Sequence, residues 1–150
     1  MIRHLFAIGL LAPLLAVSPA CLAALGEMQA SIAAEAKQFS ASQREERAAT
    51  HTVVILETPA ELVIKQYVNA EGKVFALSWM GPVMPDLPKL LGRYHEAFVA
   101  GAQRAPSSRN AVRIDTPEFA LESLGRMRAY RGRAYVPALV PPGMRPQDIQ

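Results

Sequence analysis

Two runs of alternating side chains face each other across a short polar gap in the middle of the chain. Residues 62–68 read Leu-Val-Ile-Lys-Gln-Tyr-Val and residues 74–80 read Val-Phe-Ala-Leu-Ser-Trp-Met, with Asn69-Ala70-Glu71-Gly72-Lys73 between them. Runs this rich in β-branched and aromatic residues predict strands, and three loop residues ending on Gly predict a hairpin closed by a left-handed glycine. That turn sets Asn69 opposite Lys73, so Tyr67 faces Phe75, Lys65 faces Leu77 and Val63 faces Trp79. Side chains alternate across a strand, so these odd positions share one large, aromatic face. It is the predicted core side, anchored by Trp79 and Phe75, with Leu62, Ile64, Gln66 and Val68 opposite Val74, Ala76, Ser78 and Met80 on the other.

Beyond Gly81-Pro82 the period changes. Leu87, Leu90, Leu91, Tyr94 and Phe98 recur at helical spacing, and Asp86 with Pro88 supplies a start signal: a side-chain acceptor for the first turn and a proline where no amide needs a partner. The spacing predicts one amphipathic helix from residue 86 to about residue 102. Gly92 in its middle costs about 1 kcal/mol against Ala and is expected to admit the sheet backbone at close range.

Upstream, residues 24–49 are rich in Ala, Gln and Glu. A thin stripe of Leu25, Met28, Ile32 and Phe39 predicts an amphipathic helix for part of them, with Arg44-Glu45-Glu46-Arg47 as its solvated end. The unbroken apolar run Val53-Val54-Ile55-Leu56 predicts a strand. So do Val112-Arg113-Ile114 and Phe119-Ala120-Leu121, on either side of Thr116-Pro117. The proline-rich end, from Val140-Pro141-Pro142-Gly143 onward, is expected to run extended over the surface. The fold class that follows is α+β: a small antiparallel sheet of about five or six strands packed on one amphipathic helix, with an N-terminal helical segment. The chain divides into a signal peptide (1–23), the N-terminal helical segment (24–49), a single α+β domain (50–143) and a C-terminal tail (144–150).

The first 23 residues carry a basic start at Arg3 and His4, an apolar stretch over residues 5–17 that is too short for a comfortable membrane span, and small residues ahead of Ala24. This is the layout of a secretory signal peptide. Cleavage after Ala23 leaves 150 − 23 = 127 residues, with cleavage after Ala20 as the competing site. The expected location is periplasmic or secreted, with no transmembrane span in the mature chain. Cys21 is the single cysteine, so no internal disulfide can form. A lipoprotein anchored through Cys21 is the minor alternative, disfavoured by the Ser18-Pro19-Ala20 approach.

Charge sharpens the picture. The net charge of +3 is small for a nucleic-acid partner, and none is expected. It is also uneven: residues 24–103 hold 7 basic and 9 acidic side chains, residues 104–150 hold 8 and 4. The basic excess centres on Met127-Arg128-Ala129-Tyr130-Arg131-Gly132-Arg133-Ala134-Tyr135-Val136. If Arg131-Gly132 is a two-residue hairpin turn, then Arg126, Arg128, Tyr130, Arg133 and Tyr135 share one face. That makes an arginine–tyrosine ladder suited to an anionic envelope component or another envelope protein. The plainer reading is a solvated face partly paired with Glu118 and Glu122.

Catalytic patterns are missing. His95-Glu96 opens like a zinc-protease helix but lacks the second histidine four residues on. There is no phosphate-binding glycine loop and no Gly-x-Ser-x-Gly elbow. No cofactor, no metal ligand set and no catalytic residue is assigned. The favoured function is a non-catalytic binding or structural module. A small periplasmic hydrolase or isomerase using Asp86 and His95, beside Tyr94, is the alternative.

Taken together, Ala24-Leu25-Gly26, residues 63–68, Gly72-Lys73-Val74-Phe75, residues 79–87, Leu91-Gly92-Arg93-Tyr94 and residues 127–137 resemble the domain of unknown function 2844 family of exported bacterial proteins. The resemblance covers nearly all of the mature chain, implies export and a shared fold, and carries no activity. The family pattern has Gly where this chain has Glu61.

Overall fold

The computed structural model describes residues 24–104 and 110–150. The segment read as a signal peptide, with Cys21 and the expected cleavage positions before Ala24, lies outside the described residues. Seven strands form one antiparallel sheet: β1 (Ser42–Arg47), β2 (Thr52–Glu57), β3 (Val63–Val68), β4 (Val74–Gly81), β5 (Ala111–Asp115), β6 (Ala120–Arg126) and β7 (Ala129–Tyr135). Their order across the sheet is β1-β2-β3-β4-β7-β6-β5. Helices α1 (Ile32–Gln38), α2 (Leu87–Leu91) and α3 (His95–Arg104) complete an α+β fold.

The sheet thus exceeds the expected five or six strands, and β1 is the reason. Its sequence, Ser-Gln-Arg-Glu-Glu-Arg, has no apolar residue and all six positions are exposed. Periodicity therefore had nothing to register. It is a strand because β2 offers it a full ladder, from Ser42 opposite Glu57 to Arg47 opposite Thr52. Residues 24–49 are accordingly not one helical segment. The helix ends at Gln38, Ser40 takes a positive φ of 50°, and Arg44 to Arg47 are edge strand rather than a helix end.

The β3–β4 turn is as read: Asn69 N–H donates to Lys73 O (2.9 Å), Gly72 N–H to Asn69 O (3.0 Å), and Gly72 has φ +76°. Val68 then faces Val74, but the next pair is Tyr67 with Ala76. Phe75 is an extra residue, a bulge that alternation cannot see. The predicted single face therefore divides. Leu77 and Trp79 join Leu62, Ile64 and Val68 on the helix-covered side, in one core with Val54, Leu56, Leu90, Leu91 and Leu121. Phe75 turns with Tyr67 and Ala76 to the other side, where Ile149 completes a smaller cluster. Trp79 and Phe75 are both buried, on opposite faces.

The expected long helix is interrupted. Asp86 caps its start, accepting from Lys89 N–H at 3.3 Å. At Gly92, however, φ is +51°, and a 3-10 turn over Gly92–Tyr94 separates α2 from α3. A Cβ on Gly92 would lie 2.5 Å from Ala24 Cβ. The close neighbour is the N-terminal segment, not the sheet. The C-terminal end is not simply extended either. It makes two 3-10 turns, Pro137–Leu139 and Pro146–Asp148, buries Ile149, and ties Gln150 to Tyr67, whose hydroxyl donates to Gln150 O (2.7 Å) and accepts from Gln150 N–H (3.0 Å).

Glu61 sits at φ +58° in the β2–β3 turn. That is the left-handed region, which costs a residue with a Cβ and suits glycine.

Candidate functional site

All three helices lie on one side of the sheet, and the C-terminal tail covers only part of the other. The pairing registers define three rows of side chains across that second face. Ala120, Tyr135, Ala76 and Tyr67 make the first. The tail covers it through Leu139, Val140, Met144 and Ile149. The second row runs Arg113–Glu122–Arg133–Ser78–Lys65 and the third Leu124–Arg131–Met80–Val63. These two rows without Arg113, walled by Ile149 and Gln150, line an open groove of about 420 Å³, within the size range of small-molecule sites.

The groove has two chemistries. One long side is apolar except for Arg131, which stands between Leu124 and Met80, with Val63 beyond; Met80 is 64% and Leu124 42% exposed. The other is ionic. Glu122 is shared by two guanidinium groups: Arg113 Nη1 lies 3.3 Å from Oε1, and Arg133 donates from Nη2 (2.6 Å) and Nε (3.0 Å) to Oε2. Arg133 spends its remaining fork on Pro146 O at 2.8 Å, fastening the tail to the sheet. The side chains of Lys65 and Arg131 have no hydrogen bond or ion pair among the described residues. They put positive charge within the third row and at the β3 end of the second, on a floor that is otherwise apolar or internally paired.

The five residues of the predicted ladder do not form one face. The β6–β7 hairpin turns at Met127-Arg128, with Arg126 opposite Ala129 and Arg128 at φ +59°. Arg131 and Gly132 lie inside β7, not in a turn. Alternation along one continuous strand then separates Tyr130 from Arg133 and Tyr135. Tyr130 lies on the helix side against Gly125, and Tyr135 joins the row under the tail. Arg126 stays on the open face, at the strand end, and Arg128 sits in the turn itself. The face also contains an acid, Glu122, which pairs with Arg133 as the plainer reading expected. Sequence reasoning missed Lys65, which it placed on a core face, and Arg131, which it placed in a turn. An unbroken β-period from Ala129 to Tyr135 was the available signal for Arg131.

Among the described residues the alternative pair, Asp86 and His95, shares no hydrogen bond or ion pair, although the His95 charge adds a small pull on the Asp86 carboxyl. Asp86 is committed to the α2 cap and to Lys89 Nζ at 2.9 Å, and the Lys89 bonds hold its carboxyl below the usual range. Tyr94 stacks on Phe119 with centroids 5.3 Å apart, and His95 tilts against Phe98. None of the grooves described contains Asp86 or His95. Among the described residues no group of three His, Cys, Asp or Glu is placed to hold a metal ion, and no helix is long and apolar enough to cross a membrane.

Comparison with known proteins gives one match. A family model described as a protein of unknown function (DUF2844) matches residues 21–149. No curated protein and no solved structure matches the chain.

Proposed function

The chain belongs to the DUF2844 family of proteins of unknown function, and from that premise we propose that it is an exported, non-catalytic binding module of the cell envelope. Its ligand is an anion with an apolar body. The observation that carries this reading is the groove on the helix-free face, where the side chains of Lys65 and Arg131, without partners among the described residues, stand beside Val63, Met80 and Leu124. A carboxylate or phosphate would pair with Arg131, whose planar fork suits such groups, and with the Lys65 ammonium. The attached apolar part would cover the exposed Met80 and Leu124, at about 25 cal/mol per Å² removed from water. Methionine adapts its shape to different occupants. Export is supported by the signal-like N-terminus. The preference for binding over the Asp86–His95 alternative rests on Asp86 being committed to the α2 cap and to Lys89.

Calorimetry with octyl phosphate and with uncharged octyl glucoside tests it. Octyl phosphate should bind more tightly, and the double variant Lys65→Gln/Arg131→Gln should lose about tenfold at low salt and less at moderate salt, because exposed charges are screened over about 10 Å at 0.1 M. Equal binding of both probes, or an unchanged affinity in the folded variant, refutes the assignment.

A further inference from the structure

The helix-side core holds one carboxyl that no other part of the fold explains. Glu35, in the middle of α1, is 1% exposed, and Gln66 beneath it on β3 is fully buried. Gln66 Nε2 donates to Glu35 Oε2 at 2.7 Å. The other oxygen of each group, Glu35 Oε1 and Gln66 Oε1, is buried without a partner among the described residues. As a carboxylate, Glu35 would leave two acceptors in the core with no donor between them, and a charge with no counter-ion. Buried polar groups in native proteins rarely stay unpaired, and a buried unpaired charge costs far more than an unpaired dipole. One proton on Glu35 Oε1 removes both defects. The carboxyl then donates to Gln66 Oε1 while accepting from Gln66 Nε2, a two-bond ring between a planar acid and a planar amide.

We propose that Glu35 is held as the neutral acid in this ring with Gln66, and that the ring is a proton-dependent latch holding α1 on the sheet. The segment before α1 is fixed independently. Leu25 N–H donates to Leu90 O, Gly26 N–H to Val74 O and Gln29 N–H to Gly72 O, and Val74 N–H donates back to Glu27 O. By contrast α1 has only seven residues, too few to persist alone, and is held by Ile32, Ala36 and the ring. Losing the proton therefore releases α1 while the segment before it stays attached.

No charge nearby substitutes for the proton. On α1 itself Lys37 is exposed. On β1 the helix-side positions Gln43, Glu45 and Arg47 are exposed, and Gln43 is bonded to Glu45. On α2 Lys89 is tied to Asp86 and lies 5.8 Å from the Phe39 ring centre. The residues of β2, β3 and β4 facing α1 are uncharged. Burial pushes the Glu35 carboxyl up to about 7 from 4.5, and the Gln66 bond lowers it only in part. The sign follows: a carboxyl raised on folding stabilises most below about 4.5, and its contribution is lost as pH rises through about 7.

Hydrogen exchange of the whole protein, corrected for the intrinsic pH dependence, reads the latch. Protection of residues 32–38 should fall by up to about tenfold per pH unit between pH 5 and 7 and level off above it, while amides of β4 and β7 keep theirs. In Glu35→Gln, which retains a two-bond amide ring but cannot ionise, that dependence should vanish. A flat wild-type profile, or the same profile in both proteins, overturns the proposal. A measurement needing no variant stands beside it: in protein labelled with 13C-glutamate, one side-chain carboxyl should titrate near pH 7, and all titrating at or below 4.5 overturns it equally.

Discussion

Replacing Gly132 by Ala separates two accounts of β7 by the sign of its effect. In a strand interior glycine is a weak choice, and Gly→Ala where the backbone permits it ordinarily stabilises by about 0.4–1 kcal/mol, by restricting the unfolded chain. Gly132 is paired with Trp79 across β4–β7, and its missing Cβ is filled by the indole. A Cβ built there would lie 2.6 Å from Trp79 Cε2 and 2.7 Å from the Glu122 carbonyl oxygen. The first neighbour is a buried ring and the second is backbone, so neither yields cheaply. Overpacking of this kind costs about 1–3 kcal/mol, which outweighs the entropic gain. Thermal unfolding followed by the fluorescence of Trp79, the single tryptophan, should show a midpoint lower by roughly 4 °C for each kcal/mol lost. A midpoint equal to or above wild type would mean that the indole does not rest on Gly132, and the burial argument for this seam would fail.

Trp79→Ala should cost about 3–5 kcal/mol, a large share of the roughly 5–15 kcal/mol of an ordinary domain; an unchanged urea midpoint by circular dichroism would contradict its place in the core. Glu61→Gly should stabilise the protein by about 1 kcal/mol by relieving the left-handed backbone in the β2–β3 turn, and a lower urea midpoint would show that the Glu61 side chain matters more than its φ. N-terminal sequencing of exported protein should begin at Ala24; an intact Met1 or a lipid-modified Cys21 would refute the cleavage expectation.

What the sequence disclosed tracks what local chemistry can encode. The Asn69–Lys73 turn, the Asp86 cap and the burial of Trp79, Leu90 and Leu91 are each written in a few adjacent residues, and each is present. What escaped depends on partners distant in sequence. Strand β1 exists only because β2 is beside it. The bulge at Phe75 changes no residue type, yet it exchanges the faces of everything after it. The groove follows from that exchange, since Lys65 could be seen as open only once Leu77 and Trp79 had moved to the other side. The arginine–tyrosine ladder failed on one choice, the position of a turn. With Arg131 and Gly132 back in the strand, Arg131 becomes a groove residue and Gly132 a cradle for Trp79.

The strand order also has a kinetic meaning. Strands β1 to β4 follow one another as a meander, and so do β5 to β7, so each half can form from near neighbours in sequence. The two join only where β4 meets β7, with α2, α3, β5 and β6 between them along the chain. Closing so long a loop must precede its reward, and such non-local pairing is what slows folding. Trp79 and Gly132 face each other on that junction. We expect its formation to limit the folding rate, so Gly132→Ala should slow refolding in stopped-flow experiments more than it speeds unfolding. A change confined to the unfolding limb would place the junction after the barrier.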